Sequence, residues 1–431
     1  MKNTGETSKL SRMRTQFCSV ALLLLVGACA TDRQLVDFAV KPPAGIDLGN
    51  EITLLNTATE RVVAHMAQDG LVHLIAITTG GEALHVVVST RGIEKTETIG
   101  TDRYGYYQNL AITDDAQGRL HLAIKDEHWV LDKGVWRLIG VNSCRLLTRA
   151  GDLVACATEA SGKELGTAGQ WGIQAFGGFG AGIIIPYRIR PAKIVLGHAI
   201  EDDWSFGKVI DYHLPYFVNL DNVGNAVLSS DTSGRLHLFF QAYEGNSFSY
   251  RYATLALAKD SQPDIEWRPS DGQSFNLINA ESEPISIGGG WFIPAAPPLP
   301  FAVDPQTGRV LFVARKSSGF ASSIDAGVEA RGKALSQPVP IPVSVSRVMR
   351  LAPAGNERFH ALIAVDHSLV YATYRAGYWS GITKVGKFGT LNLFLIEDES
   401  VQLASDGRSQ ALAIWPKRGG ALVGRWIELS N

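Results

Sequence analysis

The chain has 431 residues, 45% of them hydrophobic and 19% charged, with a formal net charge of -2. That composition excludes a disordered chain, and the lack of a basic surplus argues against nucleic acid or an anionic lipid surface as a partner read through charge. Forty-four glycines and 18 prolines against four methionines, with short apolar runs between turn residues, point to an all-β chain.

The N-terminus reads as a targeting segment. Lys2, Lys9, Arg12 and Arg14 make a basic region, Phe17 to Val26 an apolar one, and Val26-Gly27-Ala28-Cys29 follows. The apolar run is well short of the roughly 20 residues that span a bilayer. Small residues ahead of a cysteine here resemble the lipobox of bacterial lipoproteins. The resemblance implies a signal peptide over 1–28, acylation of Cys29 by palmitate-type chains and, with Ala30 rather than aspartate next, sorting to the outer membrane. An ordinary signal peptide cut near Ala28 or Ala30 is the alternative. Cleavage would move the formal charge from -2 to -5, so membrane contact would come from the lipid. Residues 29–49, with Pro42 and Pro43 and no sustained period, read as a tether.

Of four cysteines, Cys18 leaves with the signal and Cys29 goes to the lipid, which leaves Cys144 and Cys156. An exported compartment permits a disulfide. The turn residues Arg149-Ala150-Gly151-Asp152 lie midway, so the two cysteines are expected nearly opposite each other on adjacent antiparallel strands.

From residue 50 the chain repeats. A turn residue followed by a short strand recurs in Asp69-Gly-Leu-Val-His, Gln117-Gly-Arg-Leu-His, Ala150-Gly-Asp-Leu-Val, Ser233-Gly-Arg-Leu-His, Thr307-Gly-Arg-Val-Leu, Asn356-Glu-Arg-Phe-His and Asp406-Gly-Arg-Ser-Gln. Glycine supplies the positive φ of a tight hairpin, and the residues after it alternate at period two. The anchors at 70, 118, 151, 234, 308, 357 and 407 are 48, 33, 83, 74, 49 and 50 residues apart. Units of about 50 residues with three or four short strands are blades, and seven predict a single β-propeller over 50–431. Six or eight blades, or a pair of β-sandwiches, are the alternatives. The closing blade is expected to take its outer strand from the N-terminus.

Two stretches interrupt the repeat, at about 161–224 and 258–300, and read as long loop insertions over one face. The first holds Trp171, Tyr187, Arg188, Arg190, His198, Glu201, Asp203 and Trp204, the second Trp291. Aromatic faces with arginines and carboxylates suit a sugar or peptide, although a lid that packs its own aromatics uses the same residues.

The repeated histidines His73, His121, His237 and His360 stand at one place in four repeats. Rotational symmetry spreads such residues around a ring, so they read as packing residues bonded to backbone or to a neighbouring blade. No metal signature occurs, and Glu201, Asp202 and Asp203 read as a solvated acidic turn. Gly327 to Ala334 approaches a phosphate-binding loop, but Ala334 replaces its hydroxyl residue. No cofactor is expected.

Repeats such as Asp231-Thr-Ser-Gly-Arg-Leu-His237 resemble those of bacterial sialidase-like propellers over roughly residues 60–425. Tyr187-Arg188-Ile189 resembles the sialidase motif whose arginine holds a substrate carboxylate, but Arg190 intervenes before Pro191 and the motif falls mid-chain. The resemblance implies architecture. The expectation is a lipid-anchored binding or scaffold module of the cell envelope, with a protein or glycan partner and no nucleic acid. The alternative is a carbohydrate-active enzyme, hydrolase or lyase, using Glu201, Asp203 and His198 as acid and base, with Arg188 and Arg190 for charge recognition.

Overall fold

The computed structural model describes residues 45–100, 104, 110–141, 144, 146–161, 166–176, 179–200, 203–215, 226–244, 247–258, 261–268, 283–286, 292–295, 300–317, 323–331, 334–335, 339–340, 347–365, 368–387 and 400–430. The signal segment and Cys29 lie outside them. Contacts divide the chain into two units, Met1–Phe38 with Trp171–Ile185, and Ala39–Gln170 with Pro186–Asn431. All seven repeat anchors belong to the second unit.

Its strands form small antiparallel sheets in a propeller arrangement. The first sheet comprises Thr59–Met66, Val72–Thr78, Ala83–Ser89 and Gly92–Thr98, and the second Leu110–Asp114, Leu120–Ile124, Glu127–Asp132 and Val135–Val141. The third begins with Leu146–Ala150 and Leu153–Ser161 and continues with the long strand Phe179–Ile200 and Asp203–Pro215. The fourth is Ala226–Ser230, Arg235–Glu244, Ser247–Ala258 and Ser261–Arg268. The fifth opens with Phe301–Val303, Val310–Ser317 and Ser323–Arg331, and the sixth with Arg347–Pro353, Arg358–Val365 and Ser368–Arg375. The seventh takes Gln402–Ser405, Gln410–Pro416 and Leu422–Leu429, and its last place is filled by Ile46–Leu55 from the start of the chain. A separate two-stranded sheet pairs Glu283–Ser286 with Phe292–Ala295.

Each sequence anchor falls in the turn between the first and second strands of one sheet. Gly70, Gly118, Gly151, Gly234, Gly308 and Gly407 have φ between 61° and 80° there, which is the conformation that selects glycine. The sixth turn instead carries Gly355, Asn356 and Glu357, all with positive φ. Neighbouring turns bond to each other: Gln68 Nε2 donates to Asp115 O (2.9 Å), Thr232 N to Pro305 O (2.7 Å), Glu357 N to Asp304 Oδ2 (2.8 Å) and Ser405 Oγ to Pro353 O (2.6 Å).

The uneven intervals have a structural source. Between anchors 151 and 234 the chain forms further strands, Gly166–Phe176, Phe179–Ile200 and Asp203–Pro215, where a loop insertion was expected. A run such as Ile194-Val195-Leu196 is β-branched and apolar enough to extend pairing with both Leu153–Ser161 and Asp203–Pro215. Ser261–Arg268 likewise turns part of the second stretch into a fourth strand.

The core lies between sheets. In the second strand of the first sheet all seven residues, Val72 to Thr78, are buried. Leu74 and Ala76 pack with Leu412, Ile414 and Leu422 of the seventh sheet, while Ile75 and Ile77 pack with Leu110, Leu122 and Ile124 of the second. Alternate residues thus feed two different interfaces. Trp415 joins Leu362, Leu369 and Tyr371 between the sixth and seventh sheets, and a Cβ on Gly386 would come 2.4 Å from its ring.

Cys144 and Cys156 are disulfide-bonded with a Cα–Cα distance of 5.7 Å. The pairing is not the face-to-face one expected from the turn. Ala150 pairs with Leu153, so Leu147 faces Cys156, and Cys144 reaches it from ahead of the strand. Both cysteines are fully buried beside Ala123, Leu147 and Val154, between the second and third sheets. Reducing the bond, or replacing both cysteines by serine, is expected to lower stability by about 3 kcal/mol for a loop of this length. Denaturant unfolding with and without reductant measures it, and unchanged midpoints would argue against a stabilising crosslink.

Candidate functional site

The described side chains with the most chemistry are the repeated histidines, and the structure joins each to a ring of the same sheet. His73 Nδ1 lies 2.9 Å from His85 Nε2, His121 Nδ1 3.0 Å from His128 Nε2, His237 Nδ1 2.8 Å from Tyr252 Oη and His360 Nδ1 2.6 Å from Tyr371 Oη. The register is the same in all four. The residue two beyond each histidine, namely Ile75, Ala123, Phe239 and Leu362, faces His85, His128, Tyr252 and Tyr371 on the third strand. Residues two apart share a face of a strand, so the partner ring is a diagonal neighbour. The partners are therefore side chains of the same sheet, not backbone or a neighbouring blade. Sequence reading missed His85 and His128 because their spacing from the repeat anchor varies with hairpin length.

The other ring nitrogen holds the turn. His121 Nε2 lies 3.1 Å from Asp115 Oδ2, and His237 Nε2 3.3 Å from Asp231 Oδ2. Asp115 Oδ1 accepts the amides of Gln117 (2.9 Å) and Arg119 (2.8 Å), and Asp231 Oδ1 those of Ser233 (2.9 Å) and Arg235 (3.1 Å). One carboxylate thus organises the tight turn and fastens it, through imidazole, to the third strand. Because the carboxylate takes the Nε2 proton, Nδ1 of His237 accepts from Tyr252 and Nδ1 of His121 accepts from His128.

Burial disfavours the charged form of His73, His128 and His360, and the turn carboxylates are held ionised. Burial pushes the pKa of His73 down to about 4, helped by the charge of His85. Burial likewise takes His128 to about 3, with His121 adding to it, and His360 to about 3, with Arg358 adding to it. Burial alone would raise Asp231, yet its bonds from His237, Ser233 and the Arg235 amide hold it at about 2. Asp115 is held below the ordinary carboxylate range against its burial, by Arg119 and His121. In the first sheet the chain of contacts continues from His85 Nδ1 to Glu97 Oε1 at 2.9 Å, and His65 Nε2 lies 3.2 Å from Asp114 Oδ1 of the second sheet.

At the histidine position the third, fifth and seventh sheets carry Val154, Leu311 and Gln410. In the fifth, Asp304 still caps its turn through Gln306 N (2.8 Å) and Thr307 N (3.1 Å). Among the described residues no three His, Cys, Asp or Glu side chains group as metal ligands.

The site residues expected from the two interrupting stretches divide as follows. Tyr187, Arg188, Arg190 and His198 fall on Phe179–Ile200, Asp203 and Trp204 open Asp203–Pro215, and Trp171 falls on Gly166–Phe176 in the part belonging to the smaller unit. Their side chains, and Glu201 and Trp291 altogether, lie outside the described residues. The backbone register still separates two groups. His198 faces Ser205 and Trp204 faces Ala199 beside the hairpin end, whereas Arg190 faces Leu214. Eight residues of extended strand separate Arg190 from His198, roughly 26 Å at the usual rise.

The clamps have a measurable pH signature. Unfolded histidine protonates near 6.5, whereas His73 in the fold does so near 4 and His128 and His360 near 3. The unfolded chain therefore binds more protons between these values, and stability falls as pH drops below 6.5, by on the order of 1–2 kcal/mol per ring by pH 5. Equilibrium unfolding between pH 8 and 4 is expected to show a plateau above pH 7 and a steady decline beneath it; a flat profile would contradict the clamps. His237→Phe, which removes the ring's bonds to Asp231 Oδ2 and Tyr252 Oη, is expected to cost about 2–4 kcal/mol in the same assay.

No family model matches the chain, and no curated protein matches it. Among solved structures it is similar to a streptogramin B lyase (10% identity, TM-score 0.45, covering 90% of this chain and 100% of that one). It is also similar to the polysaccharide lyase Uly1 (8% identity, TM-score 0.49, covering 89% and 100%) and to a fucose-specific lectin from Aleuria aurantia (13% identity, TM-score 0.36, covering 78% and 98%).

Proposed function

We propose that this chain is a lipid-anchored β-propeller of seven blades that serves as a binding or scaffold module of the bacterial cell envelope, recognising a protein or glycan partner through loops on one face. The observation that carries the reading is the repetition of the histidine clamp. Four histidines that could have formed a reactive centre are spent on the same bond in four separate sheets, which is the use a scaffold makes of them.

Seven blades are supported by the seven sheets of four or five strands and by their first strands, which neighbour one another in a closed cycle. Thr59–Met66 touches Leu110–Asp114, and the series runs on through Leu146–Ala150, Ala226–Ser230, Phe301–Val303, Arg347–Pro353 and Gln402–Ser405 back to Thr59–Met66. The anchor is supported by Val26-Gly27-Ala28-Cys29 after a basic and an apolar segment, with Ala30 favouring the outer membrane. Partner contact is assigned to Trp171, Trp204 and Trp291, since indoles are among the side chains that most often anchor interfaces.

Cys29→Ser is expected to abolish fatty-acid labelling and release the protein from the membrane fraction; retention with the label intact removes the anchor from the reading. Replacing Trp171, Trp204 and Trp291 by alanine is expected to reduce recovery of the envelope partner, or signal on a glycan array, by about 10-fold or more. Undiminished binding in the triple variant would overturn the assignment of the recognition surface.

A further inference from the structure

The sixth sheet departs from the clamp at one position. Ala354 N donates to Arg358 O at 2.8 Å, as Asp115 N does to Arg119 O at 2.9 Å and Asp231 N to Arg235 O at 3.1 Å. Ala354 therefore occupies the place of the clamp aspartate. In the second sheet the Oδ2 atom of Asp115 takes two bonds, from Arg119 Nε at 2.7 Å and from His121 Nε2 at 3.1 Å. The counterparts of those two donors in the sixth sheet are Arg358 Nε and His360 Nε2. Both nitrogens are buried, and neither has a hydrogen-bond partner among the described residues.

His360 Nδ1 bonds Tyr371 Oη as His237 Nδ1 bonds Tyr252 Oη, and when the tyrosine donates, as in the fourth sheet, Nε2 carries the proton. Arg358 is a cation at any working pH. The two residues are two apart on one strand and share its face, and the charge of Arg358 acts on both His360 and Tyr371. Two buried nitrogens thus stand where their counterparts in the second sheet hold a carboxylate, and Ala354 and His360 are both 0% exposed, while Arg358 is half-buried with its Nε inside. A buried N–H without an acceptor is costly, the more so on a charged group. The first sheet shows why this is local. It too lacks the aspartate, with Ala67 N bonded to Leu71 O at 2.9 Å, but Leu71 stands where the arginine would, so no charge gathers there.

We propose that a small monovalent anion, of chloride or formate size, binds between Arg358 Nε and His360 Nε2 and replaces the carboxylate that Asp115 and Asp231 supply in the sister sheets. The anion completes the clamp between the sixth turn and Tyr371. It is a structural ligand, and the site is independent of any partner bound elsewhere.

The test is thermal unfolding of the purified full chain at constant ionic strength, with chloride exchanged against gluconate, a much larger anion. Raising chloride from 1 to 200 mM is expected to raise Tm by about 2–4 °C. Ala354→Asp, which supplies the carboxylate covalently, is expected to raise Tm in gluconate and to remove the chloride response. Equal Tm in the two salts, or a chloride response undiminished in Ala354→Asp, would overturn the proposal. Crystals of the unmodified protein soaked in bromide give a readout that needs no variant: an anomalous peak between Arg358 and His360 supports the site, and an empty position there sinks it.

Discussion

The pairing of Ile46–Leu55 with Leu422–Leu429 is the interaction on which the rest depends. A ring of sheets has no natural end, and the last sheet has only three strands of its own, so without the N-terminal strand its outer edge would lie open. The ladder runs from Ile46 opposite Leu429 to Leu55 opposite Leu422 and carries Leu54 and Leu55 into the interface between the seventh and first sheets. Leu54 and Leu55 therefore share one buried cluster with Leu422. Lys417 and Glu51 add an ion pair across the same junction.

Given closure, the sheets must be apolar on both sides, and this sets where polar chemistry is allowed. A histidine in the second strand cannot reach water, so it must find partners within the stack. The clamp is the solution, with Nδ1 on a third-strand ring and, for His121 and His237, Nε2 on the turn carboxylate. It couples a local device, the aspartate-capped turn, to the middle of the sheet. The fastened turns then bond to their neighbours, as between Thr232 and Pro305 or Glu357 and Asp304, so the end of the ring that carries the first turns is held by the same residues that specify each turn. Burial lowers the pKa of His73, His128 and His360, while bonds from His121 and His237 help to hold Asp115 and Asp231 below the ordinary carboxylate range.

Variation among the sheets is informative because the frame is constant. Where the aspartate remains without its histidine, as at Asp304, it caps its turn and turns to the next sheet through Glu357 N. Where the histidine remains without its aspartate, as at His360, a buried ring nitrogen is left without a partner among the described residues, and Arg358 Nε is a second. The cysteines follow the same economy, closing the interface of the second and third sheets where Val154 replaces the histidine.

The sequence by itself determined the strand class and the position of every first turn, because a positive φ in a tight hairpin admits few residues and the glycines mark it. It also placed the N-terminal strand on the outside of the last sheet, since an open edge demands a partner. It did not reveal the partners of the repeated histidines: a diagonal contact depends on register and hairpin length, which differ between Ala83 and the residues after Glu127. Nor did it reveal that the interval after Gly151 is filled by strands, since turn residues there resemble those of a loop, and only pairing with Leu153–Ser161 decides it. The face-to-face placement of Cys144 and Cys156 failed for the same reason, as a turn centred between Gly151 and Asp152 instead of on Ala150 shifts every partner by three residues. Composition and turn chemistry are local and can be read along the chain. Which ring meets which nitrogen, and which donor is left unmatched, is decided when strands distant in sequence are set side by side.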